Sequence, residues 1–204
     1  MNALNYQKEL EKILLKLEQE NKRPRLFLHS CCAPCSSYCL MYLAPHFEIT
    51  VFYYNPNIYP KQEFDKRAAE ERHLIEELNS EYGFGIAFVQ GDYEPERFFE
   101  LAKGLETAPE GGMRCFLCYE QRLRKAASVA KAEGFDYFAT TLSISPLKNA
   151  GKLNEIGNRV GEELGIAHLP ADFKKKEGYK QSIALSKKYG LYRQNYCGCV
   201  YSLK

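Results

Sequence analysis

The stretch RLFLHSCCAPCSSYCLMYLA, residues 25–44, sets the fold. Arg25–Ser30 is a brief apolar run of strand length. The CCAPC segment follows as a turn marked by Pro34, and the residues from Ser36 to about Ala44 read as a helix. Strand, tight turn and helix make the first half of a βαβ unit, and a parallel sheet follows if that unit repeats.

Downstream it does repeat. Glu48–Tyr54, EITVFYY, is β-branched and aromatic, hence a second strand, and Asn55-Pro56-Asn57 breaks it. A long polar helix is expected from about Lys61 to Tyr82, and Gly85–Val89 is a third strand. Pro95–Lys103 reads as a short helix, Thr107–Met113 as a Pro/Gly loop, and Arg114–Ala132 as a helix carrying Cys115 and Cys118 near its start. Asp136–Leu142 is a fourth strand, Asn149–Leu164 a helix, Ile166–Leu169 a fifth short strand and Lys180–Tyr189 the last helix. The end, YRQNYCGCVYSLK, reads as an irregular, loosely held tail. Upstream, Leu10, Ile13, Leu14 and Leu17 repeat at helical spacing before Pro24. The expected architecture is a parallel five-stranded α/β sheet with helices on both faces. It is Rossmann-type and akin to the nucleotide-hydrolase and PP-loop folds, with a cysteine-rich site at the carboxyl ends of the strands. Residues 1–24 form an N-terminal helix, and residues 25–204 a single catalytic α/β domain with a basic C-terminal tail.

With 45% apolar and 26% charged residues over 204 positions, the chain has the composition of a folded globular protein, not of a disordered one. No run approaches the ~18 apolar residues of a membrane span. The charged N-terminus reads as an amphipathic helix and not a signal peptide, so the expected compartment is the cytoplasm, with no membrane partner. The net charge of +2 conceals an asymmetry: residues 172–204 hold eight Lys/Arg against two acids, leaving residues 1–171 at −4. Such a tail is either a solvated lysine-rich face or a surface for a polyanion.

Eight cysteines fall in three tight groups: Cys31, Cys32, Cys35 and Cys39; Cys115 and Cys118; Cys197 and Cys199. In a reducing compartment, grouped thiols read as metal or redox chemistry and not as disulfide staples. The first group lies where α/β folds often carry a phosphate loop, but neither GxxxxGK[ST] nor GxGxxG is present. The positive end of the following helix favours thiolates. Cys115 and Cys118 lie on one side of one helical turn, able to share a metal, with a redox disulfide or two core thiols as the bland reading. In Cys197-Gly198-Cys199 the glycine lets both sulfurs reach one atom, or each other. One tetrahedral zinc takes four ligands, and the CxC pair would be left over. A cubane cluster also takes four and leaves thiols for another task. Cys39 reads as a small buried hydrophobe. His29 either orients a ligand or simply packs in its strand. Asp92 is either a metal ligand at the sheet's carboxyl edge or a cap for the helix at Pro95.

Seven motifs in order resemble the QueH-type epoxyqueuosine reductases: HSCCAPC at 29–35, YNPNI at 54–58, GDYEPERF at 91–98, EGGMRCFLCYEQRL at 110–123, TTLSISPLKN at 140–149, DFKKKEGYKQSI at 172–183 and LYRQNYCGCVYS at 191–202. The likeness runs from about Arg25 to Ser202. It implies reduction of epoxyqueuosine in a tRNA anticodon to queuosine, with a 4Fe-4S cluster and no cobalamin. The family cysteines fall on Cys31, Cys32, Cys115, Cys118, Cys197 and Cys199. The expectation is a cluster on the first four, and a second redox or metal site at Cys197 and Cys199. Because adjacent cysteines on one cluster are sterically awkward, the alternative is that Cys31 or Cys32 instead joins Cys197 or Cys199 on a second, mononuclear iron, with Asp92 as a further ligand. A tRNA partner gives Lys174, Lys175, Lys176, Lys180 and Arg193 a role at phosphates, and Tyr179, Tyr189, Tyr192 and Tyr196 a role in stacking. The electron donor is external and not specified by the sequence. Two alternatives stay open: a zinc-stabilised RNA-binding module without catalysis, and a thiol redox or sulfur-transfer enzyme.

Overall fold

The computed structural model describes residues 4–203. Helix α1 (Tyr6–Gln19) precedes strand β1 (Arg25–Ser30), α2 (Ala33–Leu43), β2 (Glu48–Tyr53), α3 (Lys61–Tyr82) and β3 (Ala87–Gln90). Then come α4 (Pro95–Ala102), α5 (Met113–Ala132), β4 (Tyr137–Thr140), α6 (Ala150–Leu164), β5 (Ala167–His168) and α7 (Gly178–Lys188). The strand order is β3-β2-β1-β4-β5, with every pairing parallel. The topology therefore reverses beside β1, and the crevice beyond the carboxyl ends of β1 and β4 is where such sheets place ligands.

Alternation along β1 sends its side chains to two separate cores. Leu26 and Leu28 join α1, α2 and α3 residues on one face, while Phe27 packs with Phe138 and the small face of α5 (Ala126, Ala127, Ala130) on the other. Those alanines let α5 approach the sheet closely, and Gly161 does the same for α6, where an added Cβ would lie 2.7 Å from Ile166 O. Helix α1 is part of the first core: Leu10, Leu14 and Leu17 are buried there beside α2 residues. Asn5 caps α1, its side chain accepting from Lys8 N at 3.2 Å.

Two boundaries differ from the sequence expectation in ways that matter. The expected fourth strand, 136–142, stops at Thr140, because the Thr140 hydroxyl accepts from Leu142 N at 3.2 Å and folds Thr141–Ile144 into a 3-10 turn. The expected CCAPC turn is shorter than read. Helix α2 begins at Ala33, and Pro34 sits inside its first turn, where its missing N–H is no loss. Cys35 is consequently helical.

Candidate metal and redox site

Only Cys31 and Cys32 separate β1 from α2. Cys32 is the extended N-cap of α2, and its carbonyl accepts from Cys35 N at 3.0 Å and Ser36 N at 3.1 Å. This tight junction brings the sulfurs of Cys31, Cys32 and Cys35 within 4.8 Å of one another, with Cys31 and Cys32 3.8 Å apart. The hydrogen bonds from Cys31 and Cys35 hold the Cys32 thiol well below the ordinary thiol range. The reciprocal effect pushes Cys31 and Cys35 up: Cys31 by its bond to Cys32, and Cys35 by its bonds to Cys31 and Cys32. The three sulfurs thus form one hydrogen-bonded group at the positive end of α2, which favours a thiolate at Cys32. Cys35 was absent from the expected ligand set. Its signal was the Cys32-x-x-Cys35 spacing, hidden by reading Pro34 as a turn. Cys39 is fully buried in the first core, as expected of a small hydrophobe.

The other two thiol groups meet each other. Cys118 and Cys199 are buried in one small cluster with Phe98 and Ala102. Burial pushes the Cys118 thiol up to about 11 and also raises Cys199. Cys115 is half-buried one turn earlier on α5, accepting from Gly111 N at 3.3 Å. Cys197 accepts from Lys148 Nζ at 3.0 Å. Burial works against its thiolate, but Lys148 and Arg122 outweigh burial and leave the thiol below its usual range.

The C-terminal segment is held, not loose as the sequence suggested. Arg67, 1% exposed, donates from Nη1 to Cys197 O at 3.1 Å and from Nη2 to Tyr196 O at 3.4 Å. Tyr59 N donates to Gly198 O at 2.9 Å. Gly198 has φ of +100°, and a Cβ there would lie 2.8 Å from Ile58 Cγ1 and 3.0 Å from Arg67 Nη1. Only glycine fits between the two cysteines.

A cavity of about 610 Å³ opens at this crevice, lined by Cys31, Cys35, Cys197 and the buried cations Arg67, Arg122 and Lys148. Lys148 is 8% exposed and pairs with Glu110 at 3.4 Å. Despite burial, the Cys197 charge keeps the Lys148 ammonium above its usual range. None of these three cations stood out in the sequence as a site residue. Arg67 is mid-helix and outside every motif, while Arg122 and Lys148 fall within EGGMRCFLCYEQRL and TTLSISPLKN but no role was legible for them there.

Other expected residues are placed less centrally. His29 is fully buried between Thr140 Oγ1 (2.9 Å from Nδ1) and Tyr54 O (3.0 Å from Nε2), and desolvation lowers it to about 3, so it packs as a neutral strand residue. Asp92 is exposed in the loop between β3 and α4 and does not line the cavity. Lys174 is drawn inward to Asp172 at 3.0 Å and to the carbonyls of Ser143 and Lys148. Lys176 pairs with Glu11 and Lys180 with Glu177. Lys175 is exposed. Arg193 stands at the cavity, donating to Ser186 Oγ at 3.0 Å.

A family model described as epoxyqueuosine reductase QueH matches residues 26–204. The chain belongs to this family. Its members are oxidoreductases, and named epoxyqueuosine reductases of the family align with nearly all of it. The Staphylococcus epidermidis enzyme is 42% identical over 98% of this chain and 84% of its own length. The Streptococcus pyogenes enzyme is 42% identical over 98% and 79%. The Thermotoga maritima enzyme is 33% identical over 87% and 90%. The family match begins within β1 and so leaves α1 outside it. No helix among the described residues is long and apolar enough to cross a membrane.

Proposed function

We propose that this chain reduces epoxyqueuosine in a tRNA anticodon to queuosine with the help of an iron–sulfur cluster. The observation that carries the reading is that two distant cysteine segments open on one cationic cavity at the sheet's switch point, through Cys31, Cys35 and Cys197, while Cys118 of the third is buried beside Cys199. Two electrons and two protons are consumed. Both C–O bonds of the epoxide break, the ring carbons become an alkene, and the oxygen leaves as water.

The donor set suits a bound iron centre. The 3.8 Å between Cys31 and Cys32 is the separation of two thiolates on one tetrahedral metal at about 2.3 Å each. In a four-cysteine cubane each iron takes its own thiolate, so these two side chains have to spread to serve a cluster. We assign the cluster to Cys31, Cys32, Cys115 and Cys118, with Cys35 as a further thiol at the first group. Cys197 and Cys199 form the second redox or mononuclear iron site. Asp92 reaches that site only if its loop moves inward. A bound cluster would supply electrons one at a time, and Cys197 and Cys199 are the second group at hand to complete the pair or hold the epoxide oxygen. Lys148 Nζ, already donating to Cys197 Sγ, is the buried donor at hand for the departing oxygen.

A 610 Å³ cavity suits a single modified nucleoside. Anticodon-loop bases can be splayed from their stack, and Arg193 at the rim offers a phosphate contact. The external reductant is not specified by the site.

The test is iron and sulfide analysis of anaerobically purified protein beside a single-turnover assay on tRNA carrying the epoxide. Roughly four or five irons per chain are expected, with absorbance near ~400 nm. Cys115→Ser abolishes that absorbance, whereas Cys197→Ser and Cys199→Ser keep most of it and lose turnover. Stoichiometric zinc without iron or sulfide in the wild-type protein would sink the proposal.

A further inference from the structure

Arg122, in the middle of α5, is 1% exposed and lines the cavity. Its Nε donates to Cys118 O at 3.2 Å, and its Nη1 to Asn55 Oδ1 at 3.4 Å. The guanidinium carbon stands 5.9 Å from the centre of the Tyr119 ring. All of these partners are neutral. The other two buried cations of the cavity differ: Arg67 has Glu63 at 2.7 Å, and Lys148 has Glu110 at 3.4 Å. Among the described residues no carboxylate pairs with Arg122. The buried acid nearest the first thiol group, Glu71, is no substitute: it bonds to Ser30 at 2.8 Å, and burial pushes its carboxyl up to about 8.

An arginine cannot shed its proton to escape this cost, and a buried charge without a counter-charge is strongly destabilising. Burial opposes its charge, and the groups placed to favour it are sulfurs: Arg122 follows Cys118 by one helical turn and lines the cavity together with Cys31 and Cys197. Those sulfurs belong to all three cysteine segments. Burial pushes the Cys118 thiol up and the bond to Cys32 pushes Cys31 up, so metal binding is what makes these sulfurs thiolates, and the anion that balances Arg122 is the metal-bound thiolate assembly.

We propose that Arg122 is the fixed counter-charge of the cysteine-held centre, a positioning residue that eases its one-electron reduction. The inference rests on the iron–sulfur reading above. Each electron adds negative charge to a group that is already anionic. A buried cation beside it favours the reduced form, and its removal must disfavour it. Arg67 and Lys148 contribute less, because carboxylates partly neutralise them.

The experiment is an anaerobic redox titration of the full chain with dithionite and mediators, read by absorbance and electron paramagnetic resonance. Iron and sulfide are measured on the same samples. Arg122→Met removes the charge and keeps much of the bulk, while Arg122→Lys keeps the charge. In Arg122→Met we expect the reduced-to-oxidised ratio at a fixed potential to fall about tenfold, equivalent to roughly 59 mV for one electron. Arg122→Lys should stay within threefold of wild type. A Met variant that binds no centre while the Lys variant binds it also supports the inference, since the cation is the main feature that Lys restores.

A Met variant titrating at the wild-type potential overturns it. So does an equal shift, or equal loss of the centre, in both variants, because shape and not charge would then be responsible. If circular dichroism shows the Met variant unfolded, Arg122→Gln takes its place under the same criteria. Wild-type protein without iron or sulfide would instead refute the underlying reading, and the two failures are distinguishable.

Discussion

Gly198→Ala should loosen the C-terminal cysteine segment without unfolding the chain. The new Cβ would have to occupy a backbone with φ of +100°, 2.8 Å from Ile58 Cγ1 and 3.0 Å from Arg67 Nη1. Holding a non-glycine residue in such a conformation costs on the order of 1–3 kcal/mol. That strain is relieved when the segment detaches, so its open population rises by roughly 5- to 150-fold. Cys199, 8% exposed, is the reporter, and Cys39, fully buried in the first core, is the internal control. Reduced, metal-free protein is pulsed with iodoacetamide and the two cysteine peptides are quantified by mass spectrometry. Cys199 should react at least fivefold faster in the variant while Cys39 keeps its wild-type rate. Gly190→Ala serves as a comparison, since its φ is +61° but nothing lies within 4 Å of the added Cβ, and it should leave Cys199 unchanged. An unchanged Cys199 rate in Gly198→Ala would refute the reasoning that the tail is clamped at this residue. A parallel rise in Cys39 would show global and not local opening.

Two further outcomes are expected. Glu71 is neutral in the folded chain up to about 8, against 4.5 in the unfolded one, so between those values only the unfolded chain gives up its proton. Its contribution to stability is full below 4.5 and lost as pH rises towards 8. Glu71→Gln should flatten that slope in melting temperatures of metal-free protein measured from pH 5 to 8. A wild-type slope retained in the variant would exclude Glu71 as its source. For RNA, Arg193→Ala and Lys175→Ala should each reduce the salt dependence of tRNA binding by up to ~0.7–0.9 log units per phosphate contact. Lys176→Ala and Lys180→Ala, whose ammoniums already face Glu11 and Glu177, should change it less. Equal slopes in all four variants would move the RNA surface elsewhere.

What could be read from the sequence was local. Arg25–Ser30 and Lys61–Tyr82 form the elements that their apolar pattern indicates, and the alternation of strands and helices yields the parallel sheet. Grouped cysteines marked the site because thiols so close in sequence remain close in space. The harder features depend on distant partners. Arg67 looks like one more charge on a polar helix until the tail folds across it and supplies the carbonyls of Tyr196 and Cys197. Arg122 follows Cys118 by one turn, yet its side chain is buried and reaches Asn55, 67 residues away in the loop after β2. Lys174 looks exposed in a run of three lysines, but its ammonium turns towards the carbonyls of Ser143 and Lys148. Cys35 was obscured by a local rule: proline reads as a turn, although the first turn of a helix accepts it equally well.

The balance of charge bears on the two alternative functions. A structural zinc site closes around its metal, whereas Cys31, Cys35 and Cys197 face an open cavity. An open thiolate site suits chemistry on a bound molecule better than the bracing of an RNA-binding module. A thiol–disulfide couple meets a different objection. Its oxidised form is neutral, and it would leave Arg122 buried with no anion, while Lys148 would keep Glu110 and lose only the Cys197 sulfur. Each turnover would then alternately create and cancel unpaired buried charge, at a cost that a redox enzyme has reason to avoid. A centre that stays anionic in both oxidation states keeps these cations balanced throughout. The cavity therefore favours a resident thiolate-bound metal centre over a dithiol acting alone.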